Sequence, residues 1–285
     1  MKAIDKNIDK NTKRPLLPVT SDFIFKLIFG DERNADILTS FLLAVLDIPS
    51  EEFKQITIVD PHTKKEAEND KYGVLDVRVN TVSGKVIHIE IQVLPVPEMI
   101  ERTIFYQSKM ITEQMATGRN WSDIKKAVAI IITDYDFIVG EEKYHHQFRY
   151  RTIDGVEYTD LTEINTLELS KLPHNTDNSD LWHWMKFIKT DSEEVLNMLA
   201  QTSPQMDKAV GILKELSSDE QTRMLLEGEE NRRRDMVSRM GGAIQGTKVE
   251  IAKRLMVANM PLNQIAEITD LTLKEIEDLR NSIIG

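Results

Sequence analysis

The chain has 285 residues, 29% of them charged, and a formal net charge of -11. With no cysteine it can form neither disulfides nor thiolate metal sites, and it carries no cysteine nucleophile. The acidic balance argues against nucleic-acid binding driven by overall charge, while leaving room for a local field or for one supplied by a bound metal.

No apolar run approaches the ~20 residues that span a bilayer, so no membrane partner is expected. The opening stretch MKAIDKNIDKNTKRP is too charged for a secretory signal, and the expected location is cytoplasmic. Residues 1–18 read as a flexible arm ending in Pro15 and Pro18. Thr20 or Ser21 can cap a helix that starts at Asp22 and aligns Phe23, Ile24, Leu27 and Ile28 before Gly30. A second helix carries Ile37, Leu38, Phe41, Leu42, Val45 and Leu46 and ends before Pro49. Ile56–Val59 is a short strand, followed by a polar loop with His62, Asp70 and Lys71.

The stretch from Asp70 to Val93 reads as a hairpin. Leu75, Val77 and Val79 alternate with Asp76 and Arg78; Ile87, Ile89, Ile91 and Val93 alternate with His88, Glu90 and Gln92. Asn80, Ser83 and Gly84 supply the turn. If Thr81 faces Lys85, counting outward sets Asp76 opposite Glu90, with Gln92 on the same face. Directly opposed residues have Cβ atoms roughly 4.5–5.5 Å apart. Two carboxylates that close repel unless a cation stands between them or one keeps its proton. Mg²⁺ suits such a pair, since it takes one or two carboxylates and leaves room for phosphate and water. The competing reading is an ordinary wet face on which Asp76 pairs with Arg78 or Lys85.

Pro97 opens a helix that runs to about Gly118, on which Arg102, Tyr106, Lys109 and Glu113 share one face. That face suits either phosphate contacts or simple solvation. AVAIIITD then reads as a strand buried on both sides. From Tyr144 to Leu172 the pattern is again strand-like and reads as peripheral sheet. The adjacent His145 and His146 face opposite ways there and cannot share a metal. Beyond Pro173 the chain is helical, with Trp182 and Trp184 as packing residues and Arg232–Arg234 as members of a salt-bridged helix. Gly241 and Gly242 suggest a hinge, and three short helices follow, the last capped by Thr272 and Glu275.

Four stretches, SDFIFKLIFGD, DKYGVLDV, IHIEIQV and RTIFYQSK, occur in this order between about Thr20 and Leu172. Together they resemble the PD-(D/E)XK nuclease superfamily, and within it the recombination-promoting nuclease/transposase (Rpn) branch, in which Glu-x-Gln replaces Glu-x-Lys. The resemblance implies a restriction-endonuclease-like α/β fold, a mixed sheet flanked by helices with an α-β-β-β-α-β core and a helical C-terminal region. On that reading residues 19–172 are the nuclease-like domain, 173–240 a helical extension and 241–285 a three-helix module suited to homo-oligomer formation or regulation.

The resemblance also implies metal-dependent cleavage of DNA in recombination or transposition. Asp76 and Glu90 match the metal-binding acids, for Mg²⁺ or Mn²⁺, and Gln92 stands where the superfamily usually has lysine. Lys109, or else Lys71 or Arg102, would stabilise charge on the phosphate, and Arg102, Tyr106 and Lys71 would contact substrate. The alternatives are a catalytically degenerate scaffold that still binds DNA, and a protein-interaction regulator acting through the helical tail.

Overall fold

A computed structural model of the chain describes residues 15–59, 77–115 and 119–284. Asp76, Lys71, Asp70 and His62 lie outside the described residues. Of the expected N-terminal arm, Leu17 is packed: it is buried and its N–H donates to Ser217 Oγ at 3.0 Å.

Helix α1 (Asp22–Phe29) buries Ile24, Phe25, Ile28 and Phe29. The expected stripe is thus rotated by one residue, leaving Phe23 and Leu27 half-buried. The aromatic rings decide this. Phe25 stacks on Phe29 with centroids 4.6 Å apart, and Phe29 meets Phe41, Trp184 and Phe187. Such rings bring ~150–250 Å² each to a core, more than the aliphatic side chains they displace from it. Helix α2 (Ala35–Val45) buries Ile37, Leu38, Phe41, Leu42 and Val45, as its spacing predicts.

Strands β1 (Thr57–Val59), β2 (Val77–Asn80) and β3 (Val86–Gln92) form an antiparallel meander. Val77 lies opposite Ile89 and Arg78 opposite His88, which is the register from which Asp76 was counted against Glu90. The turn is closed by Gly84 N–H on the Thr81 carbonyl at 3.0 Å, with Gly84 at φ +85°. Glu52 pins it from outside, accepting from Ser83 Oγ at 2.7 Å, Thr81 Oγ1 at 3.0 Å and Lys85 Nζ at 2.6 Å. The Lys85 and Ser83 bonds hold the Glu52 carboxyl down at about 2.

Helix α3 (Met99–Thr112) ends sooner than expected and leads to β4 (Ala127–Thr133), buried at every residue. Strands β5 (His145–Arg151) and β6 (Glu157–Glu168) complete a sheet of order β1-β2-β3-β4-β6-β5. β3, β4 and β6 run parallel, and the other pairs are antiparallel. The peripheral reading holds for β5, the outer strand. β6 is instead the third parallel strand, buried along its second half because both of its edges are paired there. The helix, three-strand, helix, strand order is the mixed α/β core expected from the sequence.

Helices α4 (Asp180–Lys189), α5 (Glu193–Leu199) and α6 (Pro204–Ser218) follow, with Trp182 and Trp184 buried as packing residues. Helix α7 (Glu220–Val257) runs unbroken through Gly241 and Gly242, where a hinge was expected. A helical glycine costs about 1 kcal/mol relative to alanine, which weakens a helix without ending it. By backbone contacts the chain divides into two compact units between Arg223 and Met224. In the second unit the end of α7 packs with α8 (Leu262–Thr269) and α9 (Leu273–Ile284) around Ala252, Ile265, Leu271 and Ile276. The Thr272–Glu275 capping box is present.

Candidate active site

Alternation along β3 sends Val86, His88, Glu90 and Gln92 to one face of the sheet. That face is covered rather than wet: His88 is 1% exposed and Glu90 4%. The cover is α3, and the two periodicities explain how it fits. Four residues of helix rise ~6 Å and two residues of strand ~6.6 Å, so side chains four apart on α3 meet side chains two apart on β3. Met110 packs with Val86, the Tyr106 ring stands edge-on to His88 with centroids 6.0 Å apart, and Arg102 Nη2 lies 2.9 Å from Glu90 Oε1. The face of α3 that the sequence left open between phosphate contact and solvation therefore points at the sheet.

Charge on this face is arranged as alternating pairs. The Arg102 guanidinium sits over the Tyr106 ring, 5.6 Å from its centroid, while its fork reaches Glu90. Arg78, opposite His88, bonds Glu113 at 2.7 Å, and Lys109 approaches the same carboxylate at 4.0 Å. His88 lies among these cations. Burial, with Arg78 and Arg102 nearby, pushes its imidazole down to about 3, so it is neutral at any ordinary pH. No described residue bonds its Nε2.

Gln92 shares the face, and its Nε2 donates to the Leu94 carbonyl at 2.8 Å. Lys109 is more than one-third exposed at the rim. Of the residues singled out from the sequence, Glu90, Arg102 and Tyr106 are therefore brought together under α3, while Gln92 lies beyond Glu90 along β3 and Lys109 stands at the rim beside Glu113. Asp76 and Lys71 lie outside the described residues.

Sequence reasoning missed the next rows of this face. Gln92 aligns with Thr133 and Glu168, and Glu90 with Ile131, Thr166 and His146, because parallel neighbours in register share a side. Glu168 is fully buried, accepting from the Phe137 and Ile138 N–H groups and pairing with Lys171 at 2.7 Å. Burial raises the Tyr135 phenol, and the Glu90 and Glu168 charges add to the shift. The one signal in the sequence was a lone acid in an apolar run, TLEL, which does not say what it faces.

Among the described residues, no group of three or more His, Asp or Glu is placed to hold a metal ion. Glu90 is one described donor, a buried carboxylate matched by a guanidinium on a long arm, and Glu168 stands two strands away on the same face. Hard oxygen donors, few in number, suit Mg²⁺ or Mn²⁺ better than a closed zinc-type site does. No described helix is long and apolar enough to cross a membrane.

No curated protein and no solved structure matches the chain. A family model does match, over residues 19–243, a span that contains α1, the β2–β3 hairpin, α3 and β4 through β6. The chain belongs to the PD-(D/E)XK nuclease family transposases.

Proposed function

We propose that this chain is a metal-dependent DNA endonuclease that hydrolyses phosphodiester bonds in recombination or transposition. The observation that carries the reading is the buried Glu90 at the margin of the parallel strands, faced by Arg102 from α3. Family membership supports a nuclease-type role.

Glu90 and Asp76 would hold Mg²⁺ or Mn²⁺, which when bound offsets phosphate charge and lowers the pKa of an attacking water. Gln92 would orient that water: its Nε2 is committed to Leu94, so Oε1 is the atom that can accept the water's proton in a hydrogen bond. Gln92 brings no positive charge, and Lys109 at the rim would supply it to the phosphate, with Lys71 as a further contact. Arg102 has two roles. It balances Glu90 when no cation is bound, and once released it offers its fork to a phosphate, with Tyr106 holding the stem in place.

The test is cleavage of plasmid and linear DNA with Mg²⁺ or Mn²⁺ by the wild type, Asp76→Ala and Glu90→Ala. Each variant should lose on the order of 10²–10³-fold in rate or more. Undiminished cutting in either would remove the assignment. A second reading, a degenerate scaffold that binds DNA without cutting it, is favoured by the glutamine at position 92 and by the net charge of -11. Tight binding by the wild type with no cleavage in either metal would select it.

A further inference from the structure

Past the point where β6 pairs with β4, at Thr162 opposite Ala127, β5 and β6 continue as a two-stranded arm. Its tip is ordered by hydrogen bonds. Thr152 N–H donates to the Val156 carbonyl at 2.8 Å and Gly155 N–H to the Thr152 carbonyl at 2.9 Å, with Gly155 at φ +87°. The pairing shifts register on both sides of Tyr150, which bends the ribbon.

The composition of this arm does not suit water. Tyr150 is 58% exposed, Ile153 106%, Val156 64% and Tyr158 85%, with Phe148 and Leu161 partly exposed beside them. Aromatic side chains present ~150–250 Å² each, so the arm offers on the order of 700 Å² of mostly apolar surface, near the ~800 Å² that each partner buries in a standard interface. The largest apolar patch on a typical monomer is ~300–600 Å². A two-stranded ribbon is also marginal alone in water.

Charge narrows the partner. Residues 149–161 carry Arg149 and Arg151 against Asp154, Glu157 and Asp160, that is +2 and -3, a net -1 on a chain of -11. Both arginines lean on Glu157, at 3.6 and 3.7 Å. Neither a phosphate backbone nor an anionic bilayer is attracted to such an arm. The basic residues lie on β5, while the acids lie on the turn and β6. With Glu157 balancing both arginines inside the arm, two β5 edges can meet about a twofold axis without facing unpaired like charges. β5 is also the outer strand of the sheet, an edge open to pairing.

We propose that the β5–β6 arm is a homodimerisation element, packing against the same arm of a second copy of this chain. The proposal does not depend on the chemistry at Glu90. Light scattering on the full chain at tens of micromolar should give twice the single-chain mass. Ile153→Asp with Tyr158→Asp should give the single-chain mass, with far-UV circular dichroism and melting curve retained. Ile153→Asp alone, at a fully exposed tip, serves if the double variant is poorly folded, and should shift the dimer dissociation constant by at least tenfold. Ile268→Asp with Leu273→Asp, on the C-terminal unit, should leave the dimer intact. A single-chain mass for the wild type, a dimer that survives the arm substitutions, or a dimer lost only with the C-terminal pair would each overturn the proposal. So would a monomer whose arm variants lose affinity for a DNA duplex or for anionic vesicles.

Discussion

Two buried carboxylates stand on opposite faces of the same sheet and are treated differently. Glu163, on β6, is 2% exposed and accepts from Lys126 at 2.7 Å, Arg149 at 2.9 Å, Gln147 at 2.8 Å and Asn165 at 2.9 Å. Those partners all come from the sheet or its immediate flank. Burial alone would raise its pKa, but the hydrogen bonds from Lys126, Asn165 and Gln147 and the Lys126 charge outweigh it and bring it to about 2. Glu90, on β3, meets a guanidinium carried by a helix, with a neutral imidazole and a raised phenol nearby. Four side chains of the sheet and its flank converge on Glu163, the arrangement of a carboxylate that holds the fold together. Glu90 is met from the covering helix by Arg102, and on the function proposed above that guanidinium gives way to a metal ion.

The largest expected effect separates these roles. Glu163→Ala removes the buried acid that Lys126 and Arg149 share, leaving Arg149 with Glu157 alone, and breaking a buried pair costs about 3–5 kcal/mol. Urea denaturation should show that loss, while Glu90→Ala should reduce cleavage far more than stability. If Glu163→Ala leaves the urea midpoint unchanged, or if Glu90→Ala unfolds the chain, the distinction between the two acids collapses.

Next in size is the competition at Glu90. Arg102→Ala removes the resident cation, so Mn²⁺ should bind about tenfold more tightly, a change of roughly 1.4 kcal/mol. The DNA dissociation constant should rise at the same time, because the fork that would grip phosphate is gone. Titration calorimetry with Mn²⁺ and no DNA reads the first effect independently of turnover. Unchanged or weaker Mn²⁺ binding would show that Arg102 does not stand in for the metal.

The last test lies in the pH dependence of stability, read as a slope over narrow intervals. His88 has a folded value of about 3 against 6.5 unfolded, so its contribution is complete above pH 6.5 and declines as pH falls toward 3. Glu163 has about 2 against 4.5, so its contribution is complete above pH 4.5 and declines toward pH 2. Between pH 6.5 and 4.5, of these two groups only His88 contributes to the slope. His88→Gln should flatten that interval, and Glu163→Gln should lessen the slope below it, where His88 still contributes down to pH 3. A His88→Gln curve that keeps the wild-type slope between pH 6.5 and 4.5 would refute the role given to the buried imidazole.

Much of the layout was legible because it rests on local periodicity. The stripe of α2, the alternation of β2 and β3 and the continuous run of β4 each follow from which side of an element must avoid water. The hairpin register was legible because a short turn between Thr81 and Lys85 leaves few ways to pair the strands. The stripe of α1 was misplaced by one residue because the edge-on contacts of Phe29 with Trp184 and Phe187 join distant segments. Glu168 went unnoticed for the same reason: its N–H donors at Phe137 and Ile138 come from a loop thirty residues earlier.

By itself the sequence determined the element order, the hairpin pairing, and a row of polar side chains at every second position of β3. It could not decide whether that row faced water or protein, since alternation fixes only that successive side chains part company. The tertiary structure decided it by laying α3 across the row, at a pitch where every fourth helical residue meets every second strand residue. That burial sets Glu90 against the Arg102 guanidinium rather than against water.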